Sequence, residues 1–444
     1  VTGAGNRTLI GPGEYQRRRR QLMRMIGRDA IAIVAAATPR VRSNDTHYPF
    51  RQDSDFHYLT GFPEPEAVLA LIPGRAHGET ILFCRERDAE RERWDGARVG
   101  PEGAVARHGF DDAFPIADID DILPGMIEGR SRVCYHFGRD SEFDLKLIGW
   151  VNRVRAEVRK GARPPHEFVA LGHSLHDLRL YKSRAELRVM QKAARIAGEA
   201  HLAAMRRVRP GLSEAALEAE LQHVFHQHHA VAAYPPIVGG GANACVLHYH
   251  ANNAQLADGD LVLVDAGAEF QCYASDITRT YPVNGSYSPE QRALYELVLQ
   301  AQLAAIDAAR PGNSWIAPHD AAVRSLTRGL IRLGLLHGTL ERNLADETYK
   351  RFYMHKTGHW LGLDVHDVGD YRVDGEFREL EPGMVLTVEP GLYVAPDAKG
   401  VDRRWRGIGI RIEDDVVVTR GAPQVLSEGL LKEPDAIERL LAAR

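Results

Sequence analysis

The chain has 444 residues, of which 44% are hydrophobic and 26% charged, and its formal net charge is −4. That length supports two or three domains with full hydrophobic cores, and the composition is that of a soluble globular protein. The charge balance gives no electrostatic footprint for nucleic acid, and no apolar run reaches the roughly eighteen residues that a membrane helix needs. The four cysteines, Cys84, Cys134, Cys245 and Cys272, lack CxxC spacing and are expected to be reduced core residues. No basic-then-apolar leader opens the sequence, so a cytoplasmic location is expected.

In chain order, the run Arg17-Arg18-Arg19-Arg20 falls in an expected helix between Tyr15 and Ile26, and reads as a solvated face or an intersubunit salt-bridge strip. Apolar strands are expected over residues 30–34 and 67–72, alternating with polar and helical stretches, which predicts a mixed sheet covered by helices. None of the polar clusters in this first third reads as a metal-binding set. A boundary is expected between Arg163-Pro164-Pro165 and Leu178. Beyond it, Ser183-Arg184-Ala185-Glu186 is a capping-box pattern opening a long amphipathic helix that runs to about Arg209-Pro210-Gly211. Ser213 opens a second helix, and Ser288-Pro289-Glu290-Gln291 caps another, with proline where its missing N–H costs nothing. The predicted class is therefore α/β (α+β) with two domains, residues 1–175 and 176–444.

Within the second domain, His223, His226, His228 and His229 are dense, but no nearby carboxylate completes a mechanism, and they are not read as a metal site. Gly239-Gly240-Gly241 lacks the ending of a phosphate loop; it reads as a turn permitting close approach to substrate or as a plain loop. The carboxylates are more informative. The segment from Gly259 to Gly267 and the segment from Gly383 to Gly391 share one pattern: glycine, apolar strand, a carboxylate (Asp265 or Glu389), one residue, glycine. A hairpin turning near Phe270 would bring Asp276 roughly opposite Asp265. Alternation along Ile408-Gly409-Ile410-Arg411-Ile412-Glu413 puts Arg411 and Glu413 on one strand face. A duplicated unit presenting two carboxylate pairs to one centre needs compensating charge, because neighbouring buried carboxylates cannot all ionise. Two divalent cations would supply it.

The blocks around Asp265, Ser275-Asp276-Ile277-Thr278-Arg279-Thr280, Gly358-His359 through His366-Asp367-Val368-Gly369, Val388-Glu389-Pro390-Gly391 and Gly409 through Asp414 resemble the metal-site blocks of the pita-bread metallopeptidases. Together with residues 50–67 they look most like the aminopeptidase P, or Xaa-Pro aminopeptidase, branch. The resemblance implies an N-terminal mixed sheet with flanking helices ahead of a C-terminal pita-bread metallopeptidase domain. It implies the metal ligands Asp265, Asp276, His359, Glu389 and Glu413. The oxygen-rich set favours two divalent ions, expected as Mn2+, with Co2+ or Zn2+ as alternatives. It further implies Glu389 as ligand and proton carrier, His248 and His366 as oxyanion-stabilising and orienting groups, His355 on the pocket wall, and Arg411 as charge balance, with Tyr393 near the pocket. Taken alone, His248, His355 and His366 each read as core histidines bonded to backbone.

The expected reaction is hydrolysis that releases the N-terminal residue from peptides with proline second, by attack of a water bridging the two ions. The expected partners are such peptides and further copies of the chain, as a homodimer or homotetramer in which the N-terminal domain covers a neighbour's catalytic face. The alternatives are a prolidase, which needs a cation for the dipeptide carboxylate and has Arg372, Arg378, Arg403, Arg404 and Arg406 near enough in sequence to supply one, or a non-catalytic peptide-binding protein on the same fold.

Overall fold

In the computed structural model, which describes residues 8–443, the chain divides into one unit ending at Arg179 and a second beginning at Leu180. The first is built on six short strands: β1 (Ala30–Ala35), β2 (Val68–Leu71), β3 (Thr80–Cys84), β4 (Asp112–Pro115), β5 (Arg132–Tyr135) and β6 (Glu167–Ala170). They lie in the order β4-β3-β2-β1-β5-β6. The sheet is mixed: β1 runs antiparallel to β2 and parallel to β5. The central strand carries Ala-Ile-Ala-Ile-Val without polar interruption because both of its faces are buried. Ile31, Ile33, Val68, Phe83 and Val133 from the strands pack with Leu123 and Ile127 of α3 and Leu147, Trp150 and Val151 of α4, where α3 is Ile119–Ile127 and α4 is Ser141–Ala156.

The arginine run departs from the expectation of a solvated strip. It lies in α1 (Pro12–Ile26), but Arg18 and Arg19 are fully buried. Their guanidinium groups donate to the carbonyls of Tyr58 at 3.0 Å and Leu59 at 2.9 Å, and Arg19 also donates to Gly109 O at 2.7 Å. The first two carbonyls belong to the last turn of α2 (Ser54–Thr60), which has no intrahelical donors left for them. Burial lowers the Arg19 pKa to about 10. The helix end and the aromatic face of Tyr58, 4.2 Å from the Arg18 guanidinium, explain why these charges are drawn inward.

The second unit opens with α5 (Arg184–Arg207), whose Ser183 and Glu186 form the predicted capping box, and continues with α6 (Glu214–Gln227), capped by Ser213. Its first half then supplies β7 (Ile237–Gly240), β8 (Leu261–Asp265), the small hairpin β9 (Ala268–Phe270) and β10 (Tyr273–Ala274), and β11 (Thr278–Pro282). The hairpin does turn after Phe270, through Gln271 and Cys272, both in left-handed conformation. After α7 (Pro289–Ala308), with its capping box, and α8 (Ala317–Arg332), the second half supplies β12 (Val385–Val388), β13 (Gly391–Val394), β14 (Ile408–Arg411) and β15 (Asp414–Val417).

The duplicated pattern becomes duplicated pairing. Asp265 at the end of β8 lies across from Thr278, the first residue of β11. Val388, just before Glu389, lies across from Asp414, the first residue of β15. In each half one carboxylate ends a strand or directly follows it, and the second lies one or two residues ahead of the antiparallel partner. Two sequence expectations change here. The strand containing Glu413 is broken: β14 stops at Arg411 and β15 starts at Asp414, so Glu413 sits at the break. The glycine run is the end of β7 followed by a 3-10 turn, and a Cβ on Gly239 or Gly240 would meet the chain's own Asn243 or Leu256. The close approach is to protein. Of the cysteines, Cys84 and Cys134 are buried, whereas Cys245 and Cys272 are half-buried.

Candidate metal centre

The hydrogen bonds of the strand ends gather all five proposed ligands. Glu413 N–H donates to Thr278 O at 3.1 Å, which joins the two halves. The His359 segment is threaded beside β12: Thr387 N–H donates to His359 O at 3.0 Å, and Glu389 N–H to Thr357 O at 2.8 Å. Gly358 is required at this crossing, because a Cβ there would stand 2.0 Å from Thr387 O. A Cβ on Gly267, just past Asp265, would stand 1.7 Å from Ser275 O, so the turn after the first carboxylate is equally closed.

Ligand-type atoms of Asp276, His359 and Glu413 lie within 4.8 Å of one another. His359 Nε2 is 3.4 Å from Asp276 Oδ2 and 3.7 Å from Glu389 Oε1, while its Nδ1 faces Trp360 O at 2.9 Å. That second bond leaves Nε2 as the nitrogen turned to the carboxylates. Asp265 joins through Tyr234, whose hydroxyl is 2.5 Å from both Asp265 Oδ1 and Asp276 Oδ1. Arg411 donates to Asp265 Oδ2 at 2.5 Å, to Thr278 Oγ1 at 3.1 Å and to the Tyr393 hydroxyl at 3.1 Å. Thr278 in turn donates to Glu413 Oε2 at 2.6 Å.

Burial and mutual repulsion set the electrostatics of this group. Burial raises the Asp265 carboxyl above its ordinary range, with Asp276 adding to the shift and Arg411 opposing it. Burial and the fields of Asp276, Glu389 and Asp265 raise Glu413 well above its ordinary value. Burial pushes Glu389 to about 7 against the pull of His359 and Arg411. Burial works against a charge on His359, yet the hydrogen bond to Asp276 and the Asp276 and Glu389 charges carry its pKa to about 9. Four carboxylates facing one guanidinium and one imidazole match the donor set and charge that two divalent ions need, and the residues fit such ions.

Around this centre the proposed substrate-side groups are placed at graded exposure. His366 is exposed, with its ring centroid 4.2 Å from that of His359. His355 is half-buried and 2.9 Å from the Tyr393 hydroxyl; burial, aided by Arg411, lowers its pKa to about 4, so it is neutral at physiological pH. His248 is exposed and near enough for its charge to depress both His355 and His366. Sequence reasoning missed Tyr234, Thr278, Thr387 and Asp415. Asp415 accepts the Asp276 backbone N–H at 3.1 Å, and Thr387 Oγ1 accepts that of His359 at 3.1 Å. Thr278 and Asp415 stand within two residues of predicted ligands and could have been suspected; Tyr234, in Tyr234-Pro235-Pro236, carries no such signal.

The histidine-dense segment lies elsewhere: His228 pairs with Glu199 at 2.7 Å, and His223 contacts Gln227 at 2.9 Å. Among the described residues, one other group of ligand-type atoms converges, in the first unit, where the sequence showed none: Asp55, His136 and His176. Both oxygens of Asp55 already accept guanidinium groups, from Arg179 at 2.7 Å and Arg139 at 2.9 Å. A cation there would stand beside two positive charges, so the group is a closed ion-pair cluster.

Comparison with known proteins now gives the class: residues 188–420 match the family model of metallopeptidase family M24, to which the chain belongs. Residues 15–135 match the aminopeptidase P N-terminal domain. The chain is 43% identical to Xaa-Pro aminopeptidase of Escherichia coli K12, over 98% of each chain. It is 36% identical to human Xaa-Pro aminopeptidase 3, over 96% of this chain and 85% of the relative. Its structure is similar to that of Pseudomonas aeruginosa aminopeptidase PepP, with a TM-score of 0.97 and 58% identity over 98% of this chain and 99% of that one. Within family M24 the chain falls in the aminopeptidase P branch, and it is a metal-dependent aminopeptidase.

Proposed function

We propose that this enzyme releases the first residue from peptides whose second residue is proline, with Asp265, Asp276, His359, Glu389 and Glu413 holding two divalent ions. The observation that carries the reading is the convergence of Asp276, His359 and Glu413, which Glu389 joins at His359 and Asp265 joins through Tyr234. Held by these residues, two divalent ions would supply a water of lowered pKa and polarisation of the scissile carbonyl. The chain's own residues do the rest. Glu389, a carboxylate placed directly after the end of β12, takes a proton from the attacking water and delivers it to the leaving proline nitrogen. His248 and His366 orient the peptide and stabilise the developing oxyanion. Arg411 balances Asp265 and fixes Tyr393, which in turn holds the neutral His355. Proline's imide nitrogen has no N–H, so proteases that dock an extended backbone through that donor fail on such bonds.

Relatives named for Xaa-Pro aminopeptidase activity over nearly the full length favour this substrate over a bare Xaa-Pro dipeptide. The arginines available to a dipeptide carboxylate are in part engaged already: Arg372 with Gly375 O at 2.7 Å, Arg406 with Val401 O at 2.8 Å, and Arg404 with Asp402 at 3.4 Å. The hard, oxygen-rich donor set favours Mn2+, with Co2+ or Zn2+ able to replace it. We place the enzyme in the cytoplasm as a homodimer or homotetramer. The deciding experiment is metal content measured together with hydrolysis of an Xaa-Pro-Xaa peptide: an inactive protein at two ions per chain overturns the reading.

A further inference from the structure

His366 is exposed, yet it is carried by a segment anchored in the interior of the second unit. That segment returns on itself: Asp367 N–H donates to Trp360 O at 2.9 Å, Leu361 N–H to Val385 O at 3.1 Å, and Ala274 N–H to Gly362 O at 2.8 Å. Next to His366, the Asp367 side chain turns inward and accepts from Lys182 Nζ at 2.9 Å, with both side chains only 1% exposed. Lys182 is itself fixed, through its N–H to Gly383 O at 2.8 Å. The junction is tight: a Cβ on Gly362 would stand 2.2 Å from Asp367 Oδ2 and 2.9 Å from Lys182 Cε.

We infer that Lys182 is a positioning residue for the reaction, acting through Asp367 to hold His366 against the substrate side of the metal centre. The charge pair is almost wholly desolvated, and the Asp364 N–H reaches the other Asp367 oxygen at 3.4 Å, so removal of the ammonium takes away the charge that Lys182 supplies and favours movement of the carboxylate toward water. Such movement carries the neighbouring residue, His366, with it. His359 starts the same segment, but it is held separately by the Thr387 N–H and hydroxyl bonds. Its backbone is thus pinned to β12 independently of Asp367, while its Nδ1 shares the Trp360 carbonyl with the Asp367 N–H. This inference rests on the reading that His366 faces substrate.

The test is a double-mutant cycle in the full-length, metal-loaded enzyme on an Xaa-Pro-Xaa peptide: Lys182→Met, His366→Ala and the double variant, with Lys182→Arg as the charge-conserving control. Lys182→Met is expected to lower kcat by about tenfold or more, yet to change it less than about twofold in the His366→Ala background, since coupled sites are not additive. Two ions per chain should remain, and Lys182→Arg, which keeps the charge but adds volume to a closed junction, should lose less kcat than Lys182→Met. If Lys182→Met fails to fold, Asp367→Asn runs the same cycle. An equal fractional loss in both backgrounds, or no loss in the single variant, overturns the inference. Wild-type kcat in His366→Ala would instead overturn the role given to His366.

Discussion

Replacing Asp276 by asparagine keeps the side-chain shape and removes one charge from the centre of the ligand group. Asp276 stands 3.4 Å from His359 Nε2 and 2.5 Å from the Tyr234 hydroxyl, so the carboxamide loses both a cation partner and an anionic acceptor. Removing one partner of a buried charge interaction costs about 3–5 kcal/mol, equivalent to roughly 10²–10⁴-fold in metal affinity. A second consequence separates ligand loss from misfolding. In the metal-free protein Asp276 is among the charges that raise Glu413, Glu389 and Asp265, so Asp276→Asn relieves repulsion there. That relief offsets the lost His359 and Tyr234 contacts, so the metal-free variant should melt close to metal-free wild type, while His359 loses its Asp276 hydrogen bond and its pKa falls from about 9. The assays are elemental analysis after dialysis, thermal melting with and without Mn2+, and imidazole NMR titration. A variant holding two ions with wild-type activity would sink the ligand assignment.

Metal uptake should release protons, because metal-free His359 titrates near 9 and Glu389 near 7. Protons compete for both groups, so apparent affinity should rise with pH from 6 to 9 and fall as pH drops; calorimetry showing pH-independent binding across that window would contradict the two values. In substrate choice, kcat/KM for Xaa-Pro-Xaa should exceed that for Xaa-Pro by at least about tenfold, roughly 1.4 kcal/mol of transition-state stabilisation, and equal or reversed values would point to prolidase. Gly358→Ala places a Cβ at 2.0 Å from Thr387 O and should lower both metal retention and stability. That overpacking costs about 1–3 kcal/mol, and an unchanged melting temperature would show that the crossing is not closed. Light scattering should find a dimer or tetramer, and a fully active monomer at assay concentration would refute the assembly.

What the sequence determined by itself was local and periodic. The capping boxes at Ser183 and Ser288, the apolar runs of β1 and β8, and the repeated glycine–strand–carboxylate unit are written within a few residues, where side chain and backbone meet directly. The resemblance of short blocks then supplied His359, which no spacing argument had selected over His355. Tertiary structure decided what depends on neighbours distant in sequence. Arg18 and Arg19 look like a solvated charge run until the C-terminal carbonyls of α2, some forty residues on, accept their donors. Tyr234 bridges two carboxylates more than thirty residues away, and Lys182 meets Asp367 across 185 residues. The Asp55 cluster likewise draws from positions 136, 139, 176 and 179. The physical reason is common to all four. A polar group's fate is set by which partners replace its lost water, and chain topology brings those partners to it.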